Sequence, residues 1–172
     1  MTETNTNVVD QWRATCYHEA AHAVFALKVC GYALRYVSAE EEYCAASGPA
    51  WTGWAESWRL SMYTLAGSFA ESIDLWGEVR PEAYEDILLG HENELELGEP
   101  EERRSDDYGL VEALREMGDP EEEYRTVVQT TEETLRELWP EIAAVADALM
   151  SERRLEGDAV ARIIEDRKEA PK

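Results

Sequence analysis

Apolar residues return every three or four positions from Val9 to Cys30, through Trp12, Cys16, Ala20, Ala23 and Leu27. That period lines them along one face of an α-helix and fits no strand, whose faces alternate at every second residue. Asp10 is the candidate N-cap and Gly31 the stop. Residues 1–8, polar at the outset and ahead of the cap, are expected to be disordered.

Beyond this helix, Tyr32 to Cys44 alternates only in part and Ser47-Gly48-Pro49 supplies a turn, which predicts at most a short β hairpin. Trp58, Met62, Leu65, Phe69 and Ile73 fall three or four apart in a second helix over Trp51 to Trp76, ended by Gly77. Leu65-Ala66-Gly67 at its middle permits close packing. Trp51, Trp54 and Trp58 form a stripe that reads as core or its rim. Glu78 to Arg104 is rich in Glu, Pro and Gly. Residues 78–104 therefore read as an exposed acidic insertion, with Tyr84 to Leu89 adding a turn of helix. Ser105 caps a helix that ends at Gly118, Pro120 opens another through Trp139, Pro140 starts a third to about Glu152, and Asp158 caps a last one through Asp166. The fold class is mainly α, a single compact domain over residues 9–167 with a tail at 168–172.

A chain of 172 residues with 44% hydrophobic side chains can build one core of ordinary size. Its formal net charge of -22 repels phosphate backbones, which excludes direct binding of nucleic acid and favours solubility. The most apolar run, Ala20 to Val37, is broken by His22, Lys28 and Arg35, and the polar opening lacks the pattern of a secretory signal. No membrane association is expected, and a cytoplasmic location is. Cys16, Cys30 and Cys44 have the spacing neither of a zinc ribbon nor of a disulfide framework and read as buried or inert thiols. Glu40-Glu41-Glu42 and Glu121-Glu122-Glu123 read as solvated runs.

The first helix also carries His18-Glu19-Ala20-Ala21-His22, an H-E-x-x-H pattern on a helix identified independently of it. Residues four apart are offset by about 40° around a helix and about 6 Å along it, so both imidazoles can reach one zinc ion. Glu19 is then placed as general base toward a water molecule, and later as proton donor to a leaving amine. With three histidines in the chain, chance produces the pattern in roughly 1% of sequences of this composition. A catalytic zinc takes a third protein ligand. The candidates are many, because carboxylates are abundant; among them His91 reads as a solvated loop histidine, Asp106 and Asp107 also suit the start of a helix, and residue chemistry alone does not choose.

Thr15 to Phe25, TCYHEAAHAVF, resembles the H-E-A-G-H helix of the FtsH-type AAA zinc proteases. Three further matches follow in order. Tyr63 to Ser72, YTLAGSFAES, is similar to that family's second helix, with Gly67, Ala70 and Glu71 in the places of its Gly and its Ala-Glu pair. Ser105-Asp106-Asp107 resembles its Ser-Asn-Asp, and Glu123 to Glu165 resembles its helical end, including the Leu-x-Gly turn before the last helix. The resemblance spans about residues 12 to 167. It implies an FtsH peptidase-like domain binding zinc through His18, His22 and Asp107, with Glu19 catalytic and Glu71 orienting a ligand.

Three departures shape the expected function. Ala21 stands where the family has Gly, and residues 38–58 do not preserve the glycine-containing edge strand that aligns substrate. No G-x-x-x-x-G-K-[ST] loop for ATP is present. The expectation is a zinc metallopeptidase acting on unfolded or flexible polypeptide, independent of ATP by itself. The alternative is a non-catalytic zinc-binding pseudopeptidase module that binds a protein partner.

Overall fold

The computed structural model describes residues 4–47, 54–82, 84–97 and 106–169. It is mainly helical. The first helix, α1 (Thr4–Phe25), passes into a π-helical turn (Ala26–Cys30), and Gly31 stops it in the left-handed conformation at φ 68. Ala14, Cys16, Ala20, Ala21, Ala23, Val24 and Phe25 are all buried. Because apolar and small residues occur on nearly every side of its second half, α1 is the central helix of the domain. It starts at Thr4, so residues 4–8 are helical where disorder is expected, and Asp10 lies inside the helix instead of capping it.

Two strands follow, β1 (Ala33–Ser38) and β2 (Tyr43–Ser47), paired antiparallel from Ala33↔Ser47 to Ser38↔Tyr43. The hairpin turns at 39–42, where Glu42 takes φ 49, and not at Ser47-Gly48-Pro49. Gly48 and Pro49 lie outside the described residues. A third strand, β3 (Arg154–Glu156), pairs antiparallel with the other edge of β1 and completes a sheet ordered β2-β1-β3. The expectation of a hairpin alone is therefore corrected. Three residues carry no detectable period, and the strand exists because Leu155 is buried opposite Val37 across the ladder.

The second helix, α2 (Trp54–Trp76), lies along α1, and Gly77 ends it at φ 76. Trp58 packs on the core. Trp51 and the side chain of Trp54 fall outside the described residues. Most described residues between 78 and 93 are exposed, as expected of an acidic insertion, but the segment is anchored to the domain. Ser72 Oγ donates to the Glu78 carbonyl and accepts from the Arg80 N–H, both at 2.9 Å, which straps the segment to α2. It then forms α3 (Tyr84–Leu97), which buries Ile87 and His91 against α4 (Asp106–Met117). The stripe Tyr84, Ile87, Leu88, His91 has helical spacing once the histidine is counted among its buried members.

The longest helix is α5 (Pro120–Glu152). Asp119 caps it, its carboxylate accepting from the Glu121 and Glu122 N–H groups, and Pro120 occupies the first turn, where a missing N–H costs nothing. Pro140 does not start a new helix; it sits inside this one. Packing on both sides of the proline holds the two halves in line: Leu135 and Ile142 are buried, and Trp139 stacks on Tyr17 of α1 at 5.2 Å. The last helix, α6 (Gly157–Glu169), begins where Gly157 passes Leu34 of β1 so closely that a Cβ would stand 1.8 Å from the Leu34 carbonyl oxygen. The core thus runs between α1, α2, α4 and α5, with the sheet and α6 closing one end. Among the described residues no helix is long and apolar enough to cross a membrane.

Candidate metal centre

His18, Glu19 and His22 lie in the second half of α1, where the helix is pressed against α2. An ion pair fixes the two helices just before this point, Arg13 Nη2 to Asp74 Oδ1 at 2.7 Å, with the Asp74 side chain 4% exposed. The Asp74 charge raises the Arg13 pKa further above its ordinary value. With the helices so held, the two histidines turn toward each other, and their Nε2 atoms are 3.1 Å apart.

The space they share is kept by Gly67 of α2. A Cβ at that position would lie 2.4 Å from His22 Nε2 and 2.5 Å from His18 Nε2. Any other residue would collide with both rings, so glycine is required for approach and not for an unusual backbone angle. Two nitrogens at this separation can both meet one zinc ion at its ordinary Zn–N distance of about 2.0–2.1 Å. The donor set and the cradle therefore fit a metal.

Each ring has its own support. His22 is buried and packs on Tyr63, with ring centroids 4.7 Å apart. His18 is partly exposed, and its Nδ1 lies 3.4 Å from Glu71 Oε2. A carboxylate at Nδ1 favours the tautomer with its proton on Nδ1 and its ligating lone pair on Nε2, and it sets the orientation of the ring. Hydrogen bonding to His18 in turn holds the Glu71 carboxyl below its usual range, against the opposing effect of burial. Glu19 is 4% exposed. It lines an open cleft of about 270 Å³ together with Thr15, His18, Glu42 and Glu71.

The structure thus brings together four of the five residues expected at the site: His18, His22, Glu19 and Glu71. The fifth, Asp107, opens α4 beside Asp106, and both side chains lie outside the described residues. The backbone of that turn has a definite setting. A Cβ at Gly109 would stand 3.8 Å from Thr64 Cγ2, one helical turn before Gly67, so the start of α4 runs against the part of α2 that backs the histidines. Among the described residues no group of three His, Cys, Asp or Glu side chains is gathered as a metal cluster.

His91 is not a solvated loop histidine. It is 0% exposed, its Nε2 is 2.9 Å from Glu112 Oε1, and its ring stacks on Tyr108 at 4.5 Å. Arg115 donates to the same Glu112 oxygen. This pair joins α3 to α4 and does not share the position of His18 and His22.

Sequence reasoning missed Thr15, Tyr63 and Glu42. Thr15 and Tyr63 stand one helical turn from His18 and Gly67 respectively, a spacing that could have found them. Glu42 carries no comparable signal. The acidic run containing it is exposed throughout, as expected, and two of its members form surface ion pairs: Glu40 with Arg153 at 3.3 Å, and Glu41 with Arg154 at 3.2 Å. An edge strand, β2, lies at the rim of the sheet and against α1, and it carries no glycine. No protein-family model and no curated protein matches the chain.

Proposed function

We propose that this protein is a zinc metallopeptidase acting on unfolded or flexible polypeptide, with His18, His22 and Asp107 as metal ligands and Glu19 as the catalytic carboxylate. The observation that carries this reading is the convergence of the two Nε2 atoms at 3.1 Å in a space that only Gly67 leaves open. Bound there, zinc supplies Lewis-acid polarisation of a peptide carbonyl and of a water molecule. Glu19, buried beside His18 in the cleft, accepts the proton that the attacking water loses. It passes that proton to the departing amine, so one water is consumed and one peptide bond is broken. Glu71 positions His18 through Nδ1.

The edge strand supports this substrate class. Beyond β2 no further strand is paired among the described residues, and an extended chain can add to such an edge through its main-chain groups. A folded domain offers no free segment of that kind, which restricts the substrate to unfolded or flexible chains.

The test is cleavage of casein by zinc-loaded protein and by its Glu19→Gln variant. The reading predicts that both retain one zinc per chain and that the variant loses at least roughly 100-fold in rate. Equal rates, or no cleavage by the zinc-loaded parent, would contradict it and leave a non-catalytic zinc module that binds a protein partner.

A further inference from the structure

Glu40, Glu41 and Glu42 follow one another at the tip of the hairpin, yet their surroundings differ. Glu40 is neutralised by Arg153. Glu41 pairs with Arg154, accepts from the Tyr36 hydroxyl at 3.1 Å, and donates its own N–H to Ser38 Oγ at 3.1 Å. Glu42 has no hydrogen bond or ion pair to any other described residue. Its backbone is in the left-handed region at φ 49, and its side chain faces the cleft that holds His18, Glu19 and Glu71.

Among the described residues no lysine or arginine lines that cleft. Of its three carboxylates, Glu71 is engaged by His18 and Glu19 is buried. Glu42, immediately before the edge strand β2, is exposed and has no partner among the described residues. A polypeptide laid along β2 toward His18 passes this carboxylate before it reaches the histidines. Resting on the peptidase reading above, we propose that Glu42 is a specificity residue that selects substrates with a lysine or arginine side chain close to the scissile bond.

The large negative charge of the whole chain attracts basic peptides everywhere, so the test must separate a local effect from a global one. Three labelled peptides of equal length and equal net charge serve, differing in whether Lys, Gln or Glu stands at the centre, with the balancing charge moved to an end. Binding is measured by fluorescence anisotropy on zinc-loaded Glu19→Gln protein. The Lys peptide is expected to bind roughly fivefold to tenfold more tightly than the Glu peptide, the scale of attraction replaced by repulsion at an exposed site. Adding Glu42→Gln should reduce that ratio below about twofold, whereas adding Glu40→Gln should preserve it.

A ratio near one in the parent, a ratio that survives Glu42→Gln, one that falls equally with Glu40→Gln, or no binding of any peptide would overturn the proposal. The unaltered zinc-loaded protein is then given the same peptides. Cleavage that favours Lys through KM supports both readings. Selective binding without cleavage supports Glu42 as the selector and overturns the peptidase reading alone.

Discussion

Gly67 decides whether His18 and His22 can share anything. A methyl group there would stand 2.4 and 2.5 Å from their Nε2 atoms and force the rings away. Gly67→Ala is therefore predicted to lower zinc affinity by roughly 10-fold to 100-fold, measured by competition with a chelator, while the helical circular dichroism is kept. Unchanged affinity would show that the nitrogens meet the metal elsewhere. The thiols give a second prediction. Burial, with the Glu19 charge adding to it, pushes Cys16 up to about 11, and burial pushes Cys30 up to about 12 against the lowering effect of Arg59. A raised thiol pKa leaves little thiolate at pH 8, and the thiolate is the nucleophile. Iodoacetamide at pH 8 should modify at most Cys44 in the native protein and all three cysteines after unfolding; rapid labelling of Cys16 or Cys30 would contradict the assigned burial. At this scale the sequence was most legible where chemistry and spacing coincide, at His18, Glu19 and His22. It was least legible at His91 and Glu42, polar residues whose surroundings are made by distant segments: α4 encloses the first, and arginines beyond residue 150 neutralise the neighbours of the second.

The helices whose periodicity is carried by apolar residues, α1, α2 and α4, stand close to where their patterns place them. Those that depend on tertiary contact do not. Pro140 removes one hydrogen bond from α5, a local signal for a break, but the stack of Trp139 on Tyr17 and the burial of Leu135 and Ile142 outweigh it. Likewise β3 is too short to announce itself and follows from pairing with β1. The passage from β3 to α6 depends on Gly157, where a side chain would collide with the Leu34 carbonyl. Gly157→Ala should cost about 1–3 kcal/mol, read as a lower urea midpoint with an unchanged slope. An unshifted midpoint would show that β1 and α6 can part freely. The first turn of α4 carries the other prediction at this scale. Asp107→Ala should weaken zinc binding by at least roughly 100-fold and Asp106→Ala by less than tenfold, measured by chelator competition. The reverse order would make Asp106 the third ligand.

Across the whole molecule, one helix pair defines the site and the remaining elements hold it in place. α1 supplies the histidines and the carboxylate, α2 supplies the glycine cradle and Glu71, and α4 begins against the same stretch of α2. The small sheet contributes an edge beside α1 and brings Glu42 to the cleft. Mainly helical character could be read from the sequence, because its longest apolar periods are helical. The pairing of β1 with β3, between segments more than a hundred residues apart, could not. The account stands on a metal held by the two imidazole nitrogens whose approach Gly67 permits, and zinc-edge X-ray absorption of protein carrying one zinc per chain tests it most directly. The predicted result is two imidazole nitrogens with oxygen donors, all at about 2.0–2.2 Å. Sulfur at about 2.3 Å, or oxygen alone without imidazole scattering, would contradict it.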